Sequence, residues 1–235
     1  NNLLDLSKLQ HHHIQLEETN FDVIDLFRKI INYYRIEAED KKLAFYFEYP
    51  QGSDMHVVGD SNRLTQIIHN IISNAIKFTE SGFVKVVLRE IARNQNTSTV
   101  NIEVADSGIG IPEEQQERVF EPFVRGKSDH SKRILGSGIG LAVVKELIEL
   151  HRGRLYLESR EGRGTRISVT IPFKISNEKR RTASLSVTKN LKDLNVLYVE
   201  DLEYNQKLMD AYARYWGLEL CMASTDRKST RLNSS

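Results

Sequence analysis

Three polar residues on one predicted helix have types and spacing that suit a phosphate-bearing ligand. In residues 67–79, IIHNIISNAIKFT, the side chains of Asn70, Asn74 and Lys77 share one face of a helix. Asn is a poor helix former because its amide competes with the backbone for hydrogen bonds. Its amide oxygen can coordinate a hard cation, however, and a lysine can meet phosphate. For this stretch alone, an ordinary polar helix face remains the slightly favoured alternative.

The opposite face of this helix is apolar and must pack on a sheet or on other helices; its residues are Leu64, Ile67, Ile68, Ile71, Ile72, Ala75 and Ile76. Asp60 is well placed to cap its start, and Ser81-Gly82 to end it. A second helix is predicted over residues 21–39, a short one over 112–120 and another over 141–151. Strands are predicted at residues 43–49, 56–58, 83–91, 99–105, 154–159 and 165–173.

A carboxylate beside glycines follows one of these strands, in the sequence Asp106-Ser-Gly108-Ile109-Gly110. Glycines leave room for a flat ring to approach the backbone, and the carboxylate can accept hydrogen bonds from an exocyclic amine such as that of adenine. Asp and Gly are also ordinary turn residues, so this segment alone is a weak signal.

A second glycine segment opens the helix predicted at residues 141–151. Glycines at a helix N-terminus free backbone N–H groups to face phosphate, aided by the helix dipole. The segment is similar to a dinucleotide fingerprint, but two strands of a hairpin follow it instead of a βαβ unit, which argues against a Rossmann fold. The preceding loop, residues 124–138, is long and cationic, and is interpreted as a lid over phosphates or as a solvated loop. The residues concerned are Arg125, Arg133, Gly136, Ser137, Gly138, Ile139, Gly140 and Leu141.

Five segments in order resemble the ATP-binding catalytic domain of sensor histidine kinases, in the superfamily that includes gyrase, Hsp90 and MutL. NIISNAIKFT resembles the N box, DSGIG the first glycine box and FEPF (residues 120–123) the F box. GSGIGL resembles the second glycine box and GRGT (residues 162–165) the last glycine element. One such motif would be weak evidence, whereas five in order are highly specific.

The resemblance implies an α+β fold, a two-layer sandwich of the Bergerat type in which a mixed, mostly antiparallel sheet carries helices on one face. ATP and Mg²⁺ are the implied ligands. Asn74 would ligate Mg²⁺ with Asn70 beside it, Lys77 would meet phosphate, and Asp106 would hold the adenine amine. Further implied contacts are Phe78 and Ile109 near the base or sugar, Thr165 to adenine through water, backbone donors of the second glycine box, and Arg125 and Arg133 from the lid.

The implied activity is transfer of the ATP γ-phosphoryl group to a histidine upstream of this chain, as in a hybrid kinase of a two-component phosphorelay. In hydrolases of the superfamily, Glu stands four residues before the metal-binding Asn and activates water. Here Asn70 occupies that position, which disfavours hydrolysis. The alternatives are a nucleotide-binding scaffold without turnover and, less favoured, an ATP hydrolase.

The resemblance also assigns both ends of the chain. Residues 1–17 would end the second helix of the dimerisation and phosphoacceptor hairpin, and 18–174 would be the catalytic domain. A linker (175–190) would lead to a truncated receiver (191–224), in which Glu200 and Asp201 match a Mg²⁺-binding acidic pair. Residues 225–235 match no receiver helix and are interpreted as read-through or an assembly scar. The hairpin and the receiver are the implied partners, and the parent is expected to be a homodimer.

Composition sets the remaining limits. The 235 residues carry 33 basic and 32 acidic side chains, which gives no indication of nucleic-acid or membrane-surface binding. Cys221 is the single cysteine, as suits a reducing cytosol. The histidines at 11–13 lack partners at metal-ligand spacing, so a metal site is not expected there. No apolar run approaches a membrane span. The chain is expected in the cytoplasm, with an upstream inner-membrane anchor of the parent as the open alternative.

Overall fold

The computed structural model describes residues 15–50, 55–124, 138–176 and 196–199, together with residues 206, 209, 210, 213, 218 and 220–223 near the C-terminus. The chain divides into two compact units, Asn1–Lys179 and Arg180–Ser235. The predicted lid loop, linker and acidic pair at Glu200 and Asp201 lie outside the described residues, as do residues 1–14.

The larger unit has four helices in its described part: α1 (Val23–Asp40), α2 (Ser61–Phe78), α3 (Glu113–Gln116) and α4 (Gly140–Leu150). Asp60 caps α2 as predicted, because its carboxylate accepts a hydrogen bond from Arg63 N at 2.9 Å. The prediction that residues 21 and 22 open the first helix was wrong. They end a strand, and the Asp22 side chain caps α1 by accepting from Ile24 N and Asp25 N.

Seven strands form one sheet in this unit: β1 (Thr19–Asp22), β2 (Ala44–Glu48), β3 (His56–Gly59), β4 (Phe83–Arg93), β5 (Thr97–Asp106), β6 (Arg154–Arg160) and β7 (Gly164–Ile175). Their order is β1-β3-β7-β5-β4-β2, with β6 also paired to β7. Only the β2–β4 pair is parallel among these described strands. The predicted mixed, mostly antiparallel sheet is therefore confirmed.

Helices α1, α2 and α4 pack against one face of this sheet and against each other. The apolar face of α2 lies at the centre of the core, where its isoleucines are at most 2% exposed. Each such side chain contributes roughly 1.5–3 kcal/mol relative to an exposed position. The polar face of α2 is consequently fixed in one direction, away from the sheet. The buried set on α2 is the predicted one: Leu64, Ile67, Ile68, Ile71, Ile72, Ala75 and Ile76.

In the smaller unit, β8 (Val196–Val199) pairs in parallel with β9 (Leu220–Ala223), in the register Val196 to Leu220. A parallel pair requires a crossover connection, and Ala213 between the two strands is helical and buried. This is a β-α-β arrangement. The assignment of this unit to a receiver domain remains a prediction. In the part of the chain that the structure describes, no helix is both long and apolar enough to cross a membrane.

Candidate functional site

The two asparagines of α2 differ in what they contact. Asn70 donates from Nδ2 to the Gln66 carbonyl oxygen at 3.0 Å, so part of its amide is engaged within the helix. A Cβ added to Gly140, the first residue of α4, would lie 3.0 Å from Asn70 Oδ1. Asn74 is partly buried, and its side chain makes no hydrogen bond with any described residue. A partly buried amide without a protein partner is available to a ligand.

The last turn of α2 gathers positive charge. Lys77 Nζ lies 5.4 Å from the ring centroid of Phe78, a cation–π distance. Lys41, one residue beyond α1, donates from Nζ to the carbonyl oxygens of Ile76 at 2.9 Å and Lys77 at 3.4 Å. It thereby satisfies carbonyls that the helix end leaves unpaired and complements the helix dipole. Sequence reasoning missed Lys41, since nothing in its local sequence indicates this distant contact.

Asp106 is the predicted adenine contact and lies at the end of β5. Its Oδ1 accepts hydrogen bonds from Gly108 N at 2.8 Å and Thr165 N at 3.2 Å. Burial raises the pKa of Asp106 from 3.8 to about 6, although these two hydrogen bonds act in the opposite direction. Its Oδ2 has no partner among the described residues, so one oxygen of a held carboxylate is open to an amine donor.

The first glycine box lies directly against the end of α2. Ile109 N donates to the Phe78 carbonyl oxygen at 3.2 Å, and a Cβ on Gly108 would lie only 2.4 Å from that oxygen. Gly108 is therefore required by the close approach of two backbone segments. Phe78 contributes its backbone here, in addition to any contact of its ring with a ligand.

The last glycine element lies beside the first. Gly162 N donates to the Ile109 carbonyl oxygen at 2.8 Å, and Thr165 N reaches Asp106 as described above. Gly164 has φ +92°, and a Cβ there would lie 1.9 Å from the Asp106 carbonyl oxygen. Residues nearly sixty positions apart in the sequence thus form one backbone network around the Asp106 carboxylate.

Two side chains that sequence reasoning missed hold this network. Ser159 Oγ accepts from Ile111 N at 2.8 Å and lies 2.9 Å from Thr165 Oγ1. Gln116 donates from Nε2 to the carbonyl oxygens of Ile111 and Ser159, both at 2.9 Å. The Thr165 hydroxyl is thus held by a neighbouring strand at the edge of the Asp106 site. Neither Ser159 nor Gln116 belongs to a motif, so only the structure reveals them.

The second glycine box meets the F box. Phe123 N donates to the Gly138 carbonyl oxygen at 3.0 Å. The Ile139 side chain is 3% exposed, and Leu141 packs against the core. These two side chains are therefore committed to the core, which leaves the backbone as the part of Ile139 and Leu141 able to face a nucleotide. Gly136, Ser137, Arg125 and Arg133 lie outside the described residues.

The oxygen atoms in this region could coordinate a hard cation only together with oxygens from a bound ligand. Among the described residues, no group of three or more His, Cys, Asp or Glu side chains could hold a metal ion. Mg²⁺ prefers octahedral oxygen coordination and is commonly bound by one or two protein groups plus substrate phosphates. The side-chain amide oxygen of Asn74 fits that role, because it is partly buried and has no hydrogen-bond partner among the described residues.

Comparison with known proteins supplies the family. Residues 59–175 match the family described as histidine kinase-, DNA gyrase B- and HSP90-like ATPase. The matched segment begins at the end of β3 and ends with β7, so it contains α2, both glycine boxes and the last glycine element.

Two curated relatives are sensor proteins. The chain is 31% identical over 228 residues to the autoinducer 2 sensor kinase/phosphatase LuxQ of Vibrio parahaemolyticus serotype O3:K6, a match that covers 94% of this chain and 26% of that protein. It is 34% identical over 206 residues to the aerobic respiration control sensor protein ArcB of Escherichia coli K12, covering 87% of this chain and 26% of ArcB. The chain therefore spans about a quarter of the length of these relatives.

Solved structures agree with the fold. The crystal structure of full-length ShkA in complex with AMPPNP superposes with a TM-score of 0.63 at 23% identity, covering 98% of this chain and 46% of ShkA. The nucleotide-free catalytic domain of the histidine kinase ThkA gives a TM-score of 0.55 at 29% identity, covering 66% of this chain and 95% of that domain. Residues 59–175 therefore form a histidine-kinase-type domain of the histidine kinase, DNA gyrase B and HSP90-like ATPase family.

Proposed function

We propose that this chain binds ATP with Mg²⁺ between α2 and the second glycine box, and that the full-length protein transfers the γ-phosphoryl group to a histidine of its own phosphoacceptor hairpin. The observation that carries the proposal is Asp106. Its carboxylate is held by two backbone N–H groups and keeps one oxygen open, as recognition of an adenine amine requires.

The residues assigned to this site act by positioning ATP and by balancing its charge. Asp106 orients the base, and Lys77 and the N–H groups that open α4 balance the charge of the phosphates. Mg²⁺, when bound with ATP, neutralises phosphate charge, and the Asn74 amide oxygen would be its protein ligand. Phosphoryl transfer requires little covalent chemistry from the protein, so positioning and charge neutralisation are sufficient contributions.

Asn70 favours transfer to a protein acceptor over hydrolysis. An amide cannot remove a proton from water, and its Nδ2 already donates to the Gln66 carbonyl oxygen. The alternative of an ATP hydrolase would require another base at this position. Asp106, the carboxylate of the first glycine box, is assigned to the adenine amine.

The wider assembly is part of the proposal. The relatives are called sensor kinases or sensor proteins, and this chain spans 26% of each. We infer that the parent is a cytoplasmic or membrane-anchored homodimer, with an upstream hairpin that bears the acceptor histidine. The parallel pair β8–β9 supports a receiver after the catalytic domain, with Glu200 and Asp201 as its Mg²⁺ ligands. That receiver would accept the phosphoryl group next.

Calorimetric titration of Mg²⁺·ATP into the 235-residue chain tests the binding step. Asp106→Asn replaces the open acceptor by an amide that can present a donor to the adenine amine, so we expect affinity to fall about tenfold or more. Asp40→Asn, on the exposed end of α1, makes the same chemical change away from the site and should leave affinity unchanged. Equal affinity for Asp106→Asn and the unaltered chain would contradict the assignment of Asp106.

A separate hairpin protein bearing the acceptor histidine then tests transfer in trans with radiolabelled ATP. We expect label on the hairpin and no phosphate release above background. Phosphate release without the hairpin would support the hydrolase. Binding with neither transfer nor release would support a nucleotide-binding scaffold.

A further inference from the structure

The face of the sheet opposite the helices is not covered by any described element of the larger unit. Side chains alternate between the two faces of a strand. Leu155 and Leu157 of β6 pack against the core, so Tyr156 and Glu158 lie on the uncovered face. The strand registers place one row of residues across this face from β2 to β6. In order, the row is Tyr46, Lys85, Ala105, Arg166 and Glu158.

One end of this face forms an open groove of about 410 Å³, at the turn between β6 and β7. We call it the basic groove. Its lining includes Phe83, Ala105, Glu158, Arg160, Arg163 and Arg166. Asp106 and Thr165 also line it, so the basic groove adjoins the strand ends that carry the proposed adenine contact.

The cations of the basic groove are only partly compensated. Arg166 lies 3.8 Å from Glu103 and 3.9 Å from Glu158, so those acids share one partner. Arg160 and Arg163 are exposed, and neither side chain has a hydrogen bond or ion pair with any residue in the described part of the chain. The groove therefore offers two guanidinium groups, in a chain whose total net charge is only +1.

Exposed aromatic rings border these cations. Phe83 is 40% and Tyr46 53% exposed, and their ring centroids lie 6.5 Å apart in an edge-to-face arrangement. Arg and aromatic residues are enriched among the residues that dominate the energetics of protein interfaces. A site for a small molecule normally encloses most of its ligand, whereas this groove is open along the sheet. Its composition suits a protein segment.

We propose that the basic groove is a docking site for an acidic segment of a partner protein, which places carboxylates on Arg160 and Arg163 and an apolar or aromatic side chain on Phe83 and Tyr46. Guanidinium groups bind carboxylates through paired, charge-assisted hydrogen bonds. The face that carries the groove leaves the helices and the α2 side of the nucleotide site clear.

Fluorescence anisotropy with a synthetic peptide of about twelve alternating Glu and Tyr residues tests this proposal on the whole chain. We expect the unaltered chain to bind this peptide and not the peptide with Lys in place of Glu. Arg160→Glu, outside the last glycine element, should bind the Glu-Tyr peptide at least about tenfold more weakly. Arg35→Glu makes the same change in net charge on an exposed position of α1, and should stay within about twofold.

Three results would overturn the proposal: no binding of the Glu-Tyr peptide, equal losses in the two variants, or duplex DNA or phosphatidylglycerol vesicles bound as tightly as the peptide. The last would identify a general polyanion surface in place of a protein docking site. Far-ultraviolet circular dichroism and Mg²⁺·ATP titration of both variants show that each retains its fold and nucleotide site. A loss of peptide binding is thereby separated from a failure of the proposed kinase function.

Discussion

Asp106→Asn should stabilise the nucleotide-free chain while it weakens ATP binding. Burial raises the pKa of Asp106 from 3.8 to about 6, which means that the folded state disfavours the charged carboxylate. The amide of Asn carries no charge, yet its Oδ1 can still accept the hydrogen bonds from Gly108 N and Thr165 N. The substitution therefore removes the cost of burying charge and keeps the local network.

The size and sign of the effect follow from proton linkage. Because the folded-state pKa of Asp106 is the higher one, its protonated form contributes stability below about pH 4 that is lost as the pH rises through about 6. The full pKa difference corresponds to about 3 kcal/mol at most, reached above about pH 7. At about pH 5 Asp106 is still mostly protonated in the folded state, so only roughly half of the free-energy cost of burying its charge applies.

Urea unfolding of the 235-residue chain, followed by far-ultraviolet circular dichroism, measures this effect. We expect the free energy of unfolding of Asp106→Asn to exceed that of the unaltered chain by up to about 3 kcal/mol at about pH 8. The gain should fall by roughly half at about pH 5. Asp40→Asn, at the exposed end of α1, removes only screened surface interactions and should change the free energy of unfolding by less than about 1 kcal/mol at either pH. A gain that is absent, or equal at both pH values, would refute the argument from burial.

Two further substitutions test the contacts around α2. Gly108→Ala places a Cβ 2.4 Å from the Phe78 carbonyl oxygen, so calorimetry should show Mg²⁺·ATP affinity lowered by about tenfold or more. Gly162→Ala meets no atom within 4 Å, so it adds only the strain of a left-handed residue at φ +72°, about 1–2 kcal/mol, and should cost less affinity; equal losses would argue against the close approach. Tyr34→Phe removes a buried hydroxyl that hydrogen-bonds His69, and should lower the free energy of unfolding in urea by about 1–2 kcal/mol. An unchanged midpoint would mean that this hydroxyl contributes nothing.

Helix α2 could be predicted because the residues that determine it lie close together in the sequence. The isoleucine spacing of α2 gives its buried face, and Asp60 gives its start. Its end could not be predicted, and the prediction that Ser81-Gly82 ends it was wrong by about three residues. The helix ends at Phe78, whose carbonyl oxygen receives Ile109 N from a loop thirty residues further along the chain. A hydrogen bond of that range leaves no signal in the local pattern.

The same reason explains the other errors. The predicted helix at residues 112–120 is only Glu113–Gln116, because Gln116 Nε2 is anchored to the carbonyl oxygens of Ile111 and Ser159 and the following residues form turns. Strand β1 was missed because four residues, TNFD, show little alternation and owe their conformation to pairing with β3. Elements fixed mainly by contacts distant in sequence are the ones that sequence reasoning misplaces.

The candidate site is held together chiefly by its backbone, which explains why its motifs are rich in glycine. The end of α2, the first glycine box and the last glycine element are linked by N–H groups of Ile109 and Gly162 to carbonyl oxygens. Such contacts require chains to approach more closely than a Cβ permits, as at Gly108. Among the described residues, few side chains are then proposed to meet a ligand: the Asp106 carboxylate, the Asn74 amide and the Lys77 ammonium group. Because the intervening loops and α2 form one hydrogen-bonded unit, a displacement of the last turn of α2 should also displace the adenine contact.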